Sequence, residues 1–311
     1  MITARDKKTG FVNKRISLSM ATTSFPSISV IIPTFNRSKF IQSCVLSVQK
    51  QTLQPNEIIV VDDGSIDDTW SILESLGFSM FGKNKSKFQY IRTDNKGPSF
   101  ARNKGIKLAK SEYVALLDSD DVWMEDKLKI QMTSLREINY CQRISHTDEI
   151  WIRNGLQIYP KKKHKKSGGN IFQSCLELCC VSPSSAIIHK TVFSDLGYFD
   201  EELLACEDYD FWLRYSVSNE FHFVEKPLLI KNGGHSDQQS KKYWGMDRFR
   251  VFSLEKLLQN QKLEKNQRKA VLKELVFKLN ILMIGAEKRN NMLFYEEISE
   301  KKYVYQCLLE D

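Results

Sequence analysis

Residues 57–69 read EIIVVDDGSIDDT, and this stretch decides the fold. Ile58, Ile59, Val60 and Val61 form an unbroken β-branched run, the mark of a strand covered on both faces. Asp62 and Asp63 close it, Gly64 permits a tight turn, and a helix is expected from the turn to about Leu76. Asp67 is suited to capping that helix. The acidic pair could equally accept hydrogen bonds from a base or a ribose. An ordinary strand-to-helix turn would read the same way, so the neighbours must decide.

Upstream lies a similar run, ISVIIP (Ile28 to Pro33), followed by a helix that Ser38 could cap, running to about Gln51. Downstream come FQYIR, then SFARNKGIKLAK with Pro98 at the first helical turn, then EYVALLD. Strands alternating with helices at intervals of roughly 30 residues predict an α/β fold, a mostly parallel sheet flanked by helices. Ligands of such sheets bind beyond the carboxyl ends of the strands. Here those ends read PTFNR, DDGS and DSDD, so the polar residues gather at one edge. In the last, Asp118, Asp120 and Asp121 crowd into four positions. Like charges raise one another's pKa unless a cation or solvent intervenes, so a wet loop and a cation site are the two readings. Mg²⁺ takes hard oxygen ligands, one or two carboxylates with phosphate oxygens.

The second half is less regular. SHTDEIWIRNGLQIYP predicts a hairpin turning at Asn154-Gly155, SSAIIHK a short buried strand and EDYDFWLRYS an amphipathic helix. FHFVEKPLLIKNGG predicts two short strands divided at Pro227. Beyond about Gln238 the periodicity predicts three packed helices, with the apolar stripe of LVFKLNILMIGA in packing rather than in a membrane.

With 311 residues, 41% hydrophobic, the chain can bury a large core. No apolar run has the length of a membrane span, and the charged first 25 residues lack a signal-peptide core; a cytoplasmic protein is expected. The net charge of +8 is concentrated in five cations before residue 20 and five lysines in KKKHKK, Lys161 to Lys166. Outside those two segments the chain is nearly neutral, unlike a nucleic-acid footprint spread over a folded face. The basic loop is either solvated or a peripheral contact with a membrane surface or an acidic acceptor. The seven cysteines include no CxxC pair, which argues against a zinc knuckle or a disulfide framework.

SVIIPTFNR, IVVDDGSIDDT, NKGPSFARNKG, YVALLDSDD and CEDYDFWLR, in that order, closely resemble the motifs of the family-2 glycosyltransferases of the GT-A (Rossmann-like) fold. The resemblance is strongest over about residues 27–130. It implies a domain over 26–235 with a nucleotide-binding half (26–130) and an acceptor-side half (131–235). A disordered tail (1–25) would precede it and a helical C-terminal extension (236–311) would follow. By the same resemblance Thr34 lies by the nucleotide, Asp63 contacts uracil, Asp118 faces the ribose and Arg102 lies near the nucleotide pocket. Asp120 would bind the metal, and Asp208 would be the general base. Asp121 has no fixed role. Some enzymes of this fold use a late histidine as a further metal or pyrophosphate ligand; His235, after Gly233-Gly234, is placed similarly. His146 and Asp148 fall on the acceptor side, while His189 reads as structural.

The expected activity is a metal-dependent (Mg²⁺ or Mn²⁺), inverting transfer of a UDP-linked sugar to a hydroxyl of an unknown acceptor. Cell-surface polysaccharide or glycolipid synthesis would be its setting. The residue types suit this chemistry. A departing diphosphate needs its charge stabilised, and the attacking hydroxyl needs one base. Asp208 read without the other motifs would be a helix cap. A nucleotidyltransferase would carry a Gly-rich basic loop after its first strand, where this chain has PTFNRSKF. A non-catalytic sugar-nucleotide-binding module would lack a key carboxylate, and no GxGxxG marks a dehydrogenase.

Overall fold

The computed structural model describes residues 24–82, 86–234, 242–260 and 262–310. His235 and all but the last two residues of the expected tail lie outside these. The first half runs β1 (Ile28–Thr34), α1 (Ile41–Gln49), β2 (Glu57–Asp62), α2 (Thr69–Ser75), β3 (Ser79–Met80), β4 (Phe88–Arg92), α3 (Pro98–Leu108) and β5 (Tyr113–Leu116). The second half holds β6 (Val122–Trp123), α4 (Lys127–Glu137), β7 (Ile144–Arg153), β8 (Leu156–Ile158), α5 (Phe172–Glu177), β9 (Ile187–His189), α6 (Thr191–Leu196), α7 (Glu207–Ser216) and β10 (His222–Gly233). Helices α8 (Asp247–Asn260), α9 (Lys265–Glu287) and α10 (Met292–Glu310) follow.

All the strands described join one sheet, ordered β3-β4-β2-β1-β5-β9-β7-β10-β6 with β8 paired to β7. The β3-to-β5 half is parallel throughout, while β9 runs antiparallel to both β5 and β7. The strand period of two distributes each apolar run between two cores. Ile31, Ile59, Val61, Val114 and Leu116 face α3, α7 and the C-terminal helices. Ile28, Val30, Ile32, Ile58, Val60 and Ala115 face α1 and α4. The α/β class therefore holds, and the unbroken β-branched runs are what a sheet buried on both faces requires. Gly105 lets α3 lie close against β1; a Cβ there would stand 2.4 Å from Ile31 Cγ2.

The register sets the polar edge. Thr34 pairs with Asp62, and Asp62 with Arg92, so β1, β2 and β4 end level. Leu117 N donates to Ile31 O, which carries Asp118 to the same edge.

The hairpin turns where expected, with Asn154 and Gly155 both at positive φ. FHFVEKPLLIKNGG, however, is one strand and not two; β10 passes Pro227 by irregularities in its register against β7. A proline lacks only its own N–H, and a bulge accommodates that without ending the strand. Ser38 does not cap α1. Its N–H donates to Asp67 Oδ2, while Thr69 N and Oγ1 donate to Asp67 Oδ1, so Asp67 latches two loops together. The LVFKLNILMIGA stripe packs as expected through Leu275, Leu279 and Leu282. No helix among the described residues is long and apolar enough to cross a membrane.

Candidate active site

Two acidic turns and one helix start meet at the polar edge. The first turn follows β2. Asp62 is fully buried and accepts from Tyr90 Oη (2.7 Å) and Ser65 N (2.8 Å). Asp63 accepts from Thr93 Oγ1 (2.8 Å), Lys96 N (2.9 Å) and Gly97 N (2.6 Å), so it holds the β4–α3 loop against the turn. A carboxylate offers about four acceptor sites, which leaves Asp63 capacity for one more donor. Gly64, at φ 90°, comes within 3.2 Å of Thr93 O at its would-be Cβ, so the turn needs glycine for both conformation and space. Thr34 accepts Asp63 N at its carbonyl, and its buried Oγ1 has no hydrogen-bond partner among the described residues.

The second turn follows β5, and its three carboxylates have different environments. Asp118 pairs with Arg102 Nη2 (2.8 Å). Burial would raise its pKa, but Arg102, with help from Lys231 and Ser184, holds it below the usual carboxylate value. Asp121 is buried and accepts from Ser184 Oγ (2.6 Å) and Asn232 N (2.9 Å). Burial, Asp120 and Asp118 push its carboxyl well above the usual value, against the pull of Lys231. Asp120 stands half-buried between them, its carbonyl bonded by Asn232 Nδ2 (2.8 Å). The repulsion within DSDD is thus answered in part by the protein's own cations. Lys231 donates to Ser182 Oγ (3.0 Å); burial disfavours its charge, but Glu149, Asp121 and Asp118 raise its pKa above the ordinary lysine value.

The third element is the start of α7. Cys206, its N-cap, adopts a left-handed φ of 62°, a conformation costly for a residue with a side chain. The turn buries Glu207 and leaves Asp208 half-buried. Glu207 Oε1 meets Arg102 Nη1 at 2.5 Å. The buried guanidinium therefore clamps the DSDD turn to the start of α7. Burial would lower its pKa, yet Asp118 and Glu207 hold it above the usual arginine value. Asp208 does not cap the helix. Its Oδ1 accepts its neighbour Tyr209 N (2.7 Å), and its Oδ2 accepts the Cys179 thiol (3.0 Å).

The structure thus ties Asp118, Arg102 and the Glu207-Asp208 pair together, with Asp120 in the same turn as Asp118, and places Thr34 and Asp63 on the adjoining strand ends. His146 is buried against Phe221 and Phe223, with its pKa lowered to about 3 by burial first and Lys166 second, which suits packing rather than proton transfer. His189 sits beside Tyr113 and Glu112, as a structural histidine should. Lys166 departs from the basic loop. It is buried and pairs with Glu149 (3.2 Å), while Lys161, Lys162, Lys163 and Lys165 are exposed.

Sequence reasoning missed the segment 179–185. It supplies Cys179 to Asp208, Ser182 to Lys231 and Lys166, and Ser184 to Asp121 and to Asp118 N. Lys231 lies in none of the motifs, whereas Glu207, beside Asp208 in CEDYDFWLR, pairs with a cation as its place in that motif suggests. The only signal was a cluster of small polar residues around Pro183 ahead of a buried strand, which reads as an ordinary connection.

The chain spans about a third of the length of the first curated relatives it matches. One, an uncharacterized glycosyltransferase of Rickettsia conorii, is 31% identical over 219 residues, covering 70% of this chain and 35% of that protein. An Escherichia coli protein named UDP-Glc:alpha-D-GlcNAc-diphosphoundecaprenol beta-1,3-glucosyltransferase is 28% identical over 60% of this chain and 68% of its own length. Among solved structures, S. aureus TarS 1–349 in complex with UDP-GlcNAc superposes with a TM-score of 0.60 at 19% identity, covering 88% of this chain and 90% of that one, a likeness of fold. A model of the glycosyl transferase family 2 matches residues 29–197, over half of the chain, and the chain belongs to that family.

Proposed function

We propose that this glycosyltransferase moves a sugar from a UDP-linked donor to a hydroxyl with inversion at the anomeric carbon, Asp208 serving as base. The observation that carries this reading is the Arg102 clamp. One buried guanidinium bonds both the first carboxylate of DSDD and the residue adjacent to Asp208. The edge that would receive the nucleotide and the carboxylate that would receive the proton are thereby held in one rigid unit. Residues 26–130 form the donor half in this reading, 131–235 the acceptor half and 236–311 the helical extension.

Thr34 Oγ1 and the remaining acceptor capacity of Asp63 suit contacts to the nucleoside, with Asp118 toward the ribose. Carboxylate oxygens are the kind of ligand a hard divalent cation takes, although no three His, Cys, Asp or Glu side chains among the described residues are arranged to hold one by themselves. In this reading Asp120, the last aspartate of the D-x-D, would hold Mg²⁺ or Mn²⁺, with His235 a further candidate. Such an ion takes its other ligands from phosphate and water. When bound, it would stabilise charge on the departing diphosphate. Lys231, kept charged among these carboxylates, adds positive potential in the same corner. Asp208, engaged once at each oxygen, retains lone pairs to take the hydroxyl proton in a single displacement.

A UDP donor is supported by the E. coli relative's name and by the UDP-GlcNAc complex of the structural neighbour. That relative's polyprenol-linked acceptor suggests the setting, cytoplasmic and peripheral to a membrane, in surface-glycan synthesis. The four exposed lysines of the 161–165 segment would meet an anionic lipid surface there.

The test is UDP release from UDP-glucose and UDP-GlcNAc with Mn²⁺, water standing in as acceptor. Asp208→Asn should slow release by about 100-fold or more, with UDP affinity close to wild type. Preserved release with lost UDP affinity would overturn the assignment.

A further inference from the structure

The segment 179–185 touches the candidate base, and that contact goes beyond the family's motifs. Cys179 Sγ lies 3.0 Å from Asp208 Oδ2 and 3.4 Å from Val181 O, so the carboxylate is the nearer of two acceptors for its single S–H. The same segment is anchored on both sides. Cys180 O accepts Lys166 Nζ (3.2 Å), Ser182 Oγ accepts Lys231 Nζ (3.0 Å), and Ser184 Oγ donates to Asp121 (2.6 Å). The thiol is therefore presented to Asp208 from a loop fixed by the buried Lys166, the half-buried Lys231 and the DSDD turn.

Resting on the reading of Asp208 as base, we propose that Cys179 is its positioning residue. The S–H donated to Oδ2, together with Tyr209 N–H on Oδ1, fixes the rotation of the carboxylate for proton removal from the acceptor. A thiol is a weak donor, so a hydroxyl at this position would hold the carboxylate at least as firmly. The thiol remains protonated, since burial first and the Asp208 charge second push it well above the usual cysteine value.

Other charges near this pair must be counted. Glu207 and the Cys206 thiol flank Asp208 on α7, the Cys180 thiol faces it from the loop, Lys231 reaches Cys179 from β10, and Arg250 reaches Cys179 and Cys206 from α8. Lys231 and Arg250 also feel Cys179, so a shift in the acid limb is assigned to the Cys179 contact only where Cys179→Ser reverses it.

Two measurements test the proposal. The first is the pH profile of UDP release from UDP-GlcNAc with Mn²⁺ for wild type, Cys179→Ala and Cys179→Ser. The alanine variant should lower the plateau several-fold and move the acid limb to higher pH. The serine variant should restore the plateau with its acid limb at or below that of wild type. A lowered plateau with an unmoved acid limb in Cys179→Ala, or no rescue by serine, would overturn the positioning role. The second needs no turnover: iodoacetamide alkylation of Cys179, followed by peptide mapping. Asp208→Asn removes the adjacent charge, so Cys179 should alkylate several-fold faster at fixed pH; an unchanged rate would refute the contact. Failure of the underlying reading looks different. If Asp208→Asn kept full UDP release, the base assignment would fall even with the alkylation result intact.

Discussion

The two acidic turns at the sheet edge are built on opposite principles. After β2, Asp62 and Asp63 are satisfied by neutral donors, namely a tyrosine hydroxyl, a threonine hydroxyl and backbone N–H groups, all from within residues 62–97. After β5, Asp118 and Asp121 depend on Arg102, Lys231, Ser184 and Asn232, contributed by α3, the 179–185 segment and β10. The first turn is a locally closed scaffold. The second is a balanced set of buried charges, and its balance extends through Arg102 to the start of α7. A site that must accept a polyanion and its counter-ion needs the second kind, because charges already paired within the protein can redistribute when new ones arrive.

Breaking that balance should have the largest effect. Arg102→Met leaves Asp118 and Glu207 without their shared cation, and losing one partner of a buried charge cluster costs about 3–5 kcal/mol. Urea unfolding should show a loss of that size, and a loss under about 1 kcal/mol would mean the clamp is not structural. The deficit should also depend on pH. Glu207 is already raised above its ordinary value, by burial first and by Asp208 next, with Arg102 opposing. A carboxyl raised in the folded state contributes its full stability below the unfolded value of about 4.3 and loses it as pH climbs through the folded value. Without Arg102 the rise is larger, so the variant's deficit should grow between about pH 5 and about pH 8. A pH-independent deficit would place the loss elsewhere.

The neutral turn should respond less. Tyr90→Phe removes one of the two donors to the buried Asp62 carboxylate, worth about 1.5–3 kcal/mol for a bond to a charged group. The loss should appear in urea unfolding while UDP affinity stays within about twofold, well under 1 kcal/mol. A fall in UDP affinity as large as that of Arg102→Met would erase the distinction between the turns.

The same contrast explains what could be read from the sequence. The β2 turn was legible because strand, turn and helix are adjacent and Pro98 acts within its own segment, although Asp67 also reaches across to Ser38 and Gly64 packs against Thr93. The acids of the β5 turn were legible as an oddity, but the partners that relieve it were not. Ser184 is 63 residues from Asp121, and Asn232 is 111 residues from it. Serine and lysine carry no periodic signal that would announce such a pairing. Lys166 shows the same limit, since within KKKHKK nothing distinguishes the one lysine that turns inward to Glu149. Asp208 lies in a motif, whereas Cys179, beside it, belongs to none.

Calorimetric titration of UDP with and without Mn²⁺ tests most directly whether the β5 turn receives a diphosphate together with a cation. Wild type should bind UDP at least about tenfold tighter with manganese, about 1.4 kcal/mol, and Asp120→Ala should lose that increment while keeping its metal-free affinity. Equal affinity with and without the ion, or an undiminished manganese effect in Asp120→Ala, would contradict joint binding at that turn.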